Sequence, residues 1–281
     1  MYNTLISVSE LVSFSHSRCV ILDCRFRLNN PEYGLITYEQ GHIPNAFYVH
    51  LEHILSGPKN GKNGRHPLPE PAQLAHFLGN CGINSNTQVI TYDDDGGLFA
   101  ARAWWLLRWL GHQAVAVLDG GLTAWTVYGG ALTSLTPALL PCQFNVALDP
   151  HFSTVTAEDI IQNFVQPAFT LIDARSHERF LGHGETIDPL PGHIPGAINR
   201  PFRQNLTQEG YFKSYDILRK EWEALLNTRQ IGNTVHQCGS GVSACHNILT
   251  LHHVFGQGGR LYPGSWSEWC SEPSRPRVTS L

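Results

Sequence analysis

The chain is written twice. Five segments of its first half recur in the second, in the same order, at an offset of about 143 to 151 residues. Val8-Ser9-Glu10-Leu11-Val12 is matched by Val155-Thr156-Ala157-Glu158-Asp159, each the capped start of a helix. Ile21-Leu22-Asp23-Cys24-Arg25 is matched by Leu171-Ile172-Asp173-Ala174-Arg175, and Gly41-His42-Ile43-Pro44-Asn45-Ala46 by Gly192-His193-Ile194-Pro195-Gly196-Ala197. Val89-Ile90-Thr91-Tyr92-Asp93 returns as Thr234-Val235-His236-Gln237-Cys238. The run Gly120 through Trp125 returns as Gly264 through Trp269. A duplication requires two domains of one fold, and 281 residues give each about 130, enough for its own core.

Within each half, short apolar strands alternate with helical segments. Segments 20–25, 88–92 and 114–118 read as strands, 68–78 as an amphipathic helix and 98–110 as an apolar helix holding Trp104, Trp105 and Trp109. The second half gives strands at 170–175 and 233–237 and a helix at 244–255. Such alternation predicts an α/β fold, a parallel sheet flanked by helices, in each of two tandem domains. The expected division is 1–135, a linker at 136–153 with Pro137, Pro141 and Pro150, and 154–281.

Functional loops of parallel sheets lie at the carboxyl ends of strands. Cys238 and Asp93 hold equivalent carboxyl ends. Gly239, Ser240, Gly241, Val242 and Ser243 follow Cys238 and then a helix begins. That order aims backbone N–H groups and the positive end of a helix at one sulfur, and favours the reactive thiolate. The alternative is a buried structural cysteine before a turn. Asp93 in the same slot weighs against it, because the other copy needs no cysteine there.

Composition bounds the function. A net charge of −4 and a pI near 6.4 argue against a nucleic-acid partner. No apolar run reaches the ~18 residues of a membrane span, and the N-terminus shows no secretory signal. Seven cysteines, an odd number without a C-x-x-C pair, suit free thiols in a reducing compartment, here the cytoplasm. The fifteen histidines are scattered and form no zinc pattern, so no metal site is expected. Asn205-Leu206-Thr207 matches a glycosylation sequon that carries no meaning without a signal peptide.

The D-x-R strand ends, G-H-I-P-x-A turns and G-x-x-x-x-W endings, together with the 238–243 loop, resemble the two-domain rhodanese-type sulfurtransferases over nearly the whole chain. Cys-Gly-Ser-Gly-Val-Ser is similar to the C-G-S-G-V-T loop of the 3-mercaptopyruvate sulfurtransferases. Thiosulfate-specific rhodaneses carry basic residues where Gly239 and Ser240 stand. The resemblance implies a catalytically inactive N-terminal domain and a double displacement through a persulfide on Cys238. The donor would be mercaptopyruvate or, alternatively, thiosulfate; the acceptor would be cyanide, a small thiol or thioredoxin. Sulfur transferred this way needs no metal or organic cofactor.

Three more positions carry over by their match to family motifs. Arg179 stands where the family binds the substrate carboxylate, a task suited to a guanidinium's two parallel donors; the plain alternative is a surface arginine. His66 in Arg65-His66-Pro67-Leu68-Pro69 matches a histidine that faces the active site, the alternative being an exposed loop histidine. Ser240 offers a hydroxyl to polarise the donor or relay a proton. Asp23–Arg25 and Asp173–Arg175 read as structural pairs, since both halves keep them, and His193 is treated likewise because His42 has its place in the other half.

One departure bears on the donor. Mercaptopyruvate enzymes hold a second arginine nine residues after the first, and here 180–192 contains none. Losing one charge-assisted hydrogen bond costs roughly 1.5–3 kcal/mol, which predicts a relaxed or altered donor preference. Cys245, seven residues past the nucleophile, is expected to point away from the loop. Two rival classes remain. A phosphatase of this fold needs an arginine six residues after the cysteine, where Ala244 stands. A non-catalytic sulfur-sensing or protein-binding module would not need the intact Cys238 and Arg179.

Overall fold

A computed structural model describes residues 1–14 and 19–279. They form two compact units. The first comprises Met1–Gly57, Pro69–Asp149 and Gln208–Phe212, and the second Pro58–Leu68, Pro150–Thr207 and Lys213–Leu281. The segment Pro58–Leu68, written within the first half of the sequence, thus belongs to the second unit.

The first unit runs β1 (Leu5–Ile6), α1 (Val8–Ser13), β2 (Cys19–Asp23), α2 (Tyr33–Gln40), β3 (Ala46–Tyr48), α3 (Pro71–Asn80), β4 (Gln88–Tyr92), α4 (Ala100–Trp109), β5 (Val115–Leu118) and α5 (Gly121–Val127). Its strands are all parallel, in the order β1-β5-β4-β2-β3. Ser7 and Glu10 close a capping box on α1, satisfying two of the amides that open a helix. α2 forms where the sequence reads only as loop, and Tyr38 is one of its two buried residues. α3 begins at Pro71 rather than at 68, because proline suits the first turn of a helix and not its interior.

The second unit runs α6 (Ala157–Val165), β6 (Thr170–Asp173), α7 (His177–Leu181), β7 (Ile198–Asn199), α8 (Tyr215–Leu226), β8 (Thr234–Gln237), α9 (Ser243–Phe255), β9 (Arg260–Leu261) and α10 (Ser265–Trp269). Its parallel strands take the order β7-β6-β8-β9. Thr154 bridges Leu261 in parallel at the far edge, as β1 borders β5. Helices cover both faces of this sheet. Ile160, Trp266 and Trp269 pack with Leu171 and Val235 on one face; Trp222, Leu226 and Leu251 pack with Ile172 on the other. The aromatic helix residues and short β-branched strands fill this double layer with apolar area, the main favourable term in folding.

The paired charges at the strand ends are architectural. Arg25 forks onto Asp23 and donates on to the carbonyl of Gly41 at 2.9 Å. Arg175 does the same with Asp173 and Gly192, at 2.8 Å. His42 stacks on Tyr38 and binds its carbonyl; His193 stacks on Phe180 and binds that carbonyl. The arginines therefore lock the strand end to the G-H-I-P turn, and the histidines lock that turn to the helix before it, in both copies alike. The stretch after α5 pairs along the first unit, with Thr133 bonded to His42 both ways at 2.9 Å. Val278 pairs with His193 in the same way in the second unit, again at 2.9 Å. Asn205 of the sequon is buried and donates to Asn247 Oδ1 at 2.7 Å. No helix of the described residues is long and apolar enough to cross a membrane.

Candidate active site

β8 lies between β6 and β9 with all four residues buried, so its carboxyl end delivers Cys238 to the middle of the sheet edge. The loop then has to turn into α9 within a few residues. Gly241 makes the turn with φ of +75°, and a β-carbon there would stand 2.5 Å from the Pro263 carbonyl oxygen. No other residue fits that place. α10 holds the loop from outside, through Trp266 N–H to the Cys238 carbonyl and Ser267 N–H to the Gly239 carbonyl, both 2.9 Å. Ser265 accepts the Cys238 N–H at 3.1 Å and donates to the Tyr262 carbonyl at 2.9 Å. It does so with φ of +54°, a left-handed conformation held by Gly121 in the first unit. Its role is visible in the sequence only as a serine in a glycine's slot.

Cys238, Ser240 and His66, three residues expected at the site, come together. Each is buried, at 2%, 6% and 2% exposure. Ser240 N–H donates to Cys238 Sγ at 3.4 Å, and Ser240 Oγ lies 2.7 Å from His66 Nδ1. His66 arrives on the segment Pro58–Leu68, which is pinned by the Arg65 N–H to Ser267 Oγ at 2.9 Å. Cys245 does not point away. Its Sγ reaches the Gly241 carbonyl at 3.3 Å, because α9 starts at Ser243 and side chains of a first turn tilt toward the helix N-terminus. Burial pushes the thiols of Cys19 and Cys270 up to about 11 and that of Cys81 up to about 12, which makes these three poor nucleophiles.

Arg179, in the last turn of α7, is gripped by two carboxylates. Its Nε and Nη2 donate to Glu185 at 3.0 and 3.1 Å, and Nη2 also to Asp188 Oδ2 at 2.9 Å. Asp188 turns its other oxygen to Arg65 Nη1 at 2.6 Å. Burial works to raise the Glu185 carboxyl, but the Arg179 hydrogen bond and the Ile187 and Asp188 amides outweigh it and hold the group below its ordinary range. Arg65, Glu185 and Asp188 were not singled out from the sequence. The bond from Arg65 to Asp188 spans 123 residues, so no local pattern announces it.

The first unit shows what this loop geometry prefers to hold. The Asp93 carboxylate accepts N–H bonds from Asp95, Gly97, Phe99 and Ala100, at 2.7 to 2.9 Å. Burial pushes its carboxyl up to about 6 against the pull of those four donors. The loop at this strand end is an anion nest, and in the first unit the chain fills it with its own side chain.

Two segments, residues 7–127 and 156–272, match the family model of the rhodanese-like domain. The chain belongs to the rhodanese family. This rhodanese-family chain is 44% identical over 278 residues to the probable 3-mercaptopyruvate sulfurtransferase of Pseudomonas aeruginosa, covering 98% of each. It is 42% identical over 261 residues to the putative thiosulfate sulfurtransferase of Mycobacterium tuberculosis, covering 91% of this chain and 89% of that one. Among solved structures, the 3-mercaptopyruvate sulfurtransferase from Leishmania major superposes with a TM-score of 0.85 at 30% identity, over 98% of this chain and 75% of that one.

Proposed function

We propose that this rhodanese-family sulfurtransferase takes sulfur from 3-mercaptopyruvate and passes it to a thiophilic acceptor through a persulfide on Cys238. The observation that carries the reading is the contact chain Cys238–Ser240–His66, set in a loop whose sister nests an anion. The Cys238 thiolate attacks the donor sulfur and the sulfur–carbon bond breaks. Its electron pair leaves on the three-carbon fragment as the enolate of pyruvate. The donor's S–H proton ends on that carbon, giving pyruvate and a persulfide anion. Ser240 Oγ, backed by His66 Nδ1 at 2.7 Å, is placed to relay that proton. The outer sulfur extends about 2 Å beyond Sγ, toward the loop amides whose counterparts hold Asp93. Cyanide, a small thiol or thioredoxin then attacks it and the Cys238 thiolate departs. The seven free cysteines suit a reducing compartment such as the cytoplasm.

The donor reading rests on Gly239 and Ser240 standing where thiosulfate-specific members of the family carry basic side chains, and on the name of the Pseudomonas relative. The mycobacterial relative favours thiosulfate as the second reading. Steady-state kinetics on both donors decides. A kcat/KM ratio for mercaptopyruvate over thiosulfate above one is expected, and a ratio well below one would overturn the donor assignment.

A further inference from the structure

The nucleophile's backbone is held from outside by three consecutive residues. Ser265 Oγ accepts the Cys238 N–H at 3.1 Å, and the N–H groups of Trp266 and Ser267 take the carbonyls of Cys238 and Gly239, both at 2.9 Å. With both backbone groups of Cys238 engaged, only its side-chain torsion is left to aim Sγ. The carbonyl contact is common to both units, since Leu122 N–H takes the Asp93 carbonyl at 2.9 Å. The amide contact is not. Gly121 stands in the place of Ser265 in the first unit, and a β-carbon there would lie 2.3 Å from the Asp93 carbonyl oxygen. Asp93 is fixed instead by the four amides on its own carboxylate.

The serine sits in disfavoured backbone. Among the described residues, Asn45, Asn227 and Ser265 are the non-glycine residues with positive φ. Asparagine tolerates the left-handed region best, and serine at +54° lacks that tolerance. The first unit makes the same turn with a glycine at +57°. Ser265 is wholly buried, and its hydroxyl proton goes to the Tyr262 carbonyl at 2.9 Å. The oxygen therefore meets the Cys238 N–H as an acceptor only, and the contact has one direction.

We propose that Ser265 is a positioning residue for sulfur transfer: its hydroxyl holds the Cys238 backbone so that Sγ meets the donor from one fixed direction. This rests on the reading that Cys238 carries the transferred sulfur, and extends it to the residue behind the nucleophile. Displacement at sulfur needs the attacking thiolate, the transferred sulfur and the leaving group near one line, and a backbone left unheld spreads Sγ over several directions. Ser265 touches neither donor nor nucleophilic sulfur; it acts through the Cys238 amide. The second unit thus keeps a strained serine where the first keeps a relaxed glycine, because the hydroxyl is required beside the nucleophile.

The test separates the hydroxyl from the turn. Ser265→Gly removes the hydroxyl and relieves the backbone, whereas Ser265→Ala removes the hydroxyl and keeps the strain. Quenched-flow mass spectrometry follows sulfur uptake by Cys238 from mercaptopyruvate, with thiosulfate run in parallel so that either donor serves. Ser265→Gly is expected to lower the uptake rate at saturating donor about 10-fold, with the half-saturating concentration within about twofold. Ser265→Ala should lose the same rate within about twofold, although its unfolding midpoint falls below that of Ser265→Gly. A residue that only makes the turn behaves otherwise: Ser265→Gly would keep the full rate, and that result overturns the proposal. A loss that follows the unfolding midpoint, or one carried by the half-saturating concentration, also overturns it. Should Ser265→Ala not fold, Ser265→Gly decides alone, since glycine is at ease at that φ. No uptake by the unaltered protein from either donor would instead defeat the reading of Cys238 as sulfur carrier, and the role of Ser265 with it.

Discussion

At the scale of single residues the site is a set of polar side chains that hold one another in place. Ser240 and His66 touch only because a segment from far upstream delivers the histidine, and the proposed mechanism uses them as one relay. Ser240→Ala should lower kcat on the order of 100-fold with little change in KM. His66→Asn should do the same, and the double variant should be no worse than the more damaged single one, since each removes the same relay. Additive losses would separate the two roles. Gly241 has a different task. Gly241→Ala forces a side chain into left-handed backbone and against the Pro263 carbonyl, 2.5 Å away. It should cost at least about 2 kcal/mol of the second unit's stability, read as a lower unfolding midpoint.

At the scale of elements, the strand that delivers the nucleophile carries a hidden pH dependence. His236, in the middle of β8, is fully buried; burial, with His252 nearby, pushes its imidazole down to about 3. The unfolded chain binds a proton at this residue near pH 6.5 while the folded chain does not. Stability therefore falls as pH drops from 6.5 toward 3, by up to about 1.4 kcal/mol per pH unit for this group. Urea midpoints measured from pH 7.5 to 5 should fall for the native chain, and the slope should flatten in His236→Gln. The loop after β4 makes a parallel point. Asp93→Ala leaves four amides, three of them buried, without their acceptor and should destabilise the first unit by about 3 kcal/mol or more. It should leave sulfur transfer per folded molecule unchanged. The helix starts near Val8 and Val155 are plain in the sequence because capping is local chemistry, although the first cap is Ser7, one residue before the run that announces it. α2 was not, since its Tyr33–Gln40 run has no side-chain N-cap, no basic last turn and few apolar residues in register.

At the scale of the whole chain, the duplication made the fold legible, because two noisy copies of one pattern report each strand twice. It also separated structure from candidate chemistry: what both copies keep, such as the Asp–Arg forks, is architecture, and the difference, Cys238 against Asp93, marks the residue proposed to react. The arginine pair escaped that logic. Read linearly, the segment 180–192 holds no arginine; folded, its Asp188 meets Arg65 from 123 residues upstream. Only a fold can show a pairing made at that separation.

Cys238 is proposed to carry the transferred sulfur, and intact-protein mass spectrometry reads that sulfur on the protein itself. After incubation with mercaptopyruvate and removal of the donor, a gain of about 32 Da, one sulfur atom, is expected on the Cys238 peptide. Cyanide should discharge it, and Cys238→Ser should never acquire it. No gain with either mercaptopyruvate or thiosulfate, or a gain that persists in Cys238→Ser, would rule out Cys238 as the sulfur carrier.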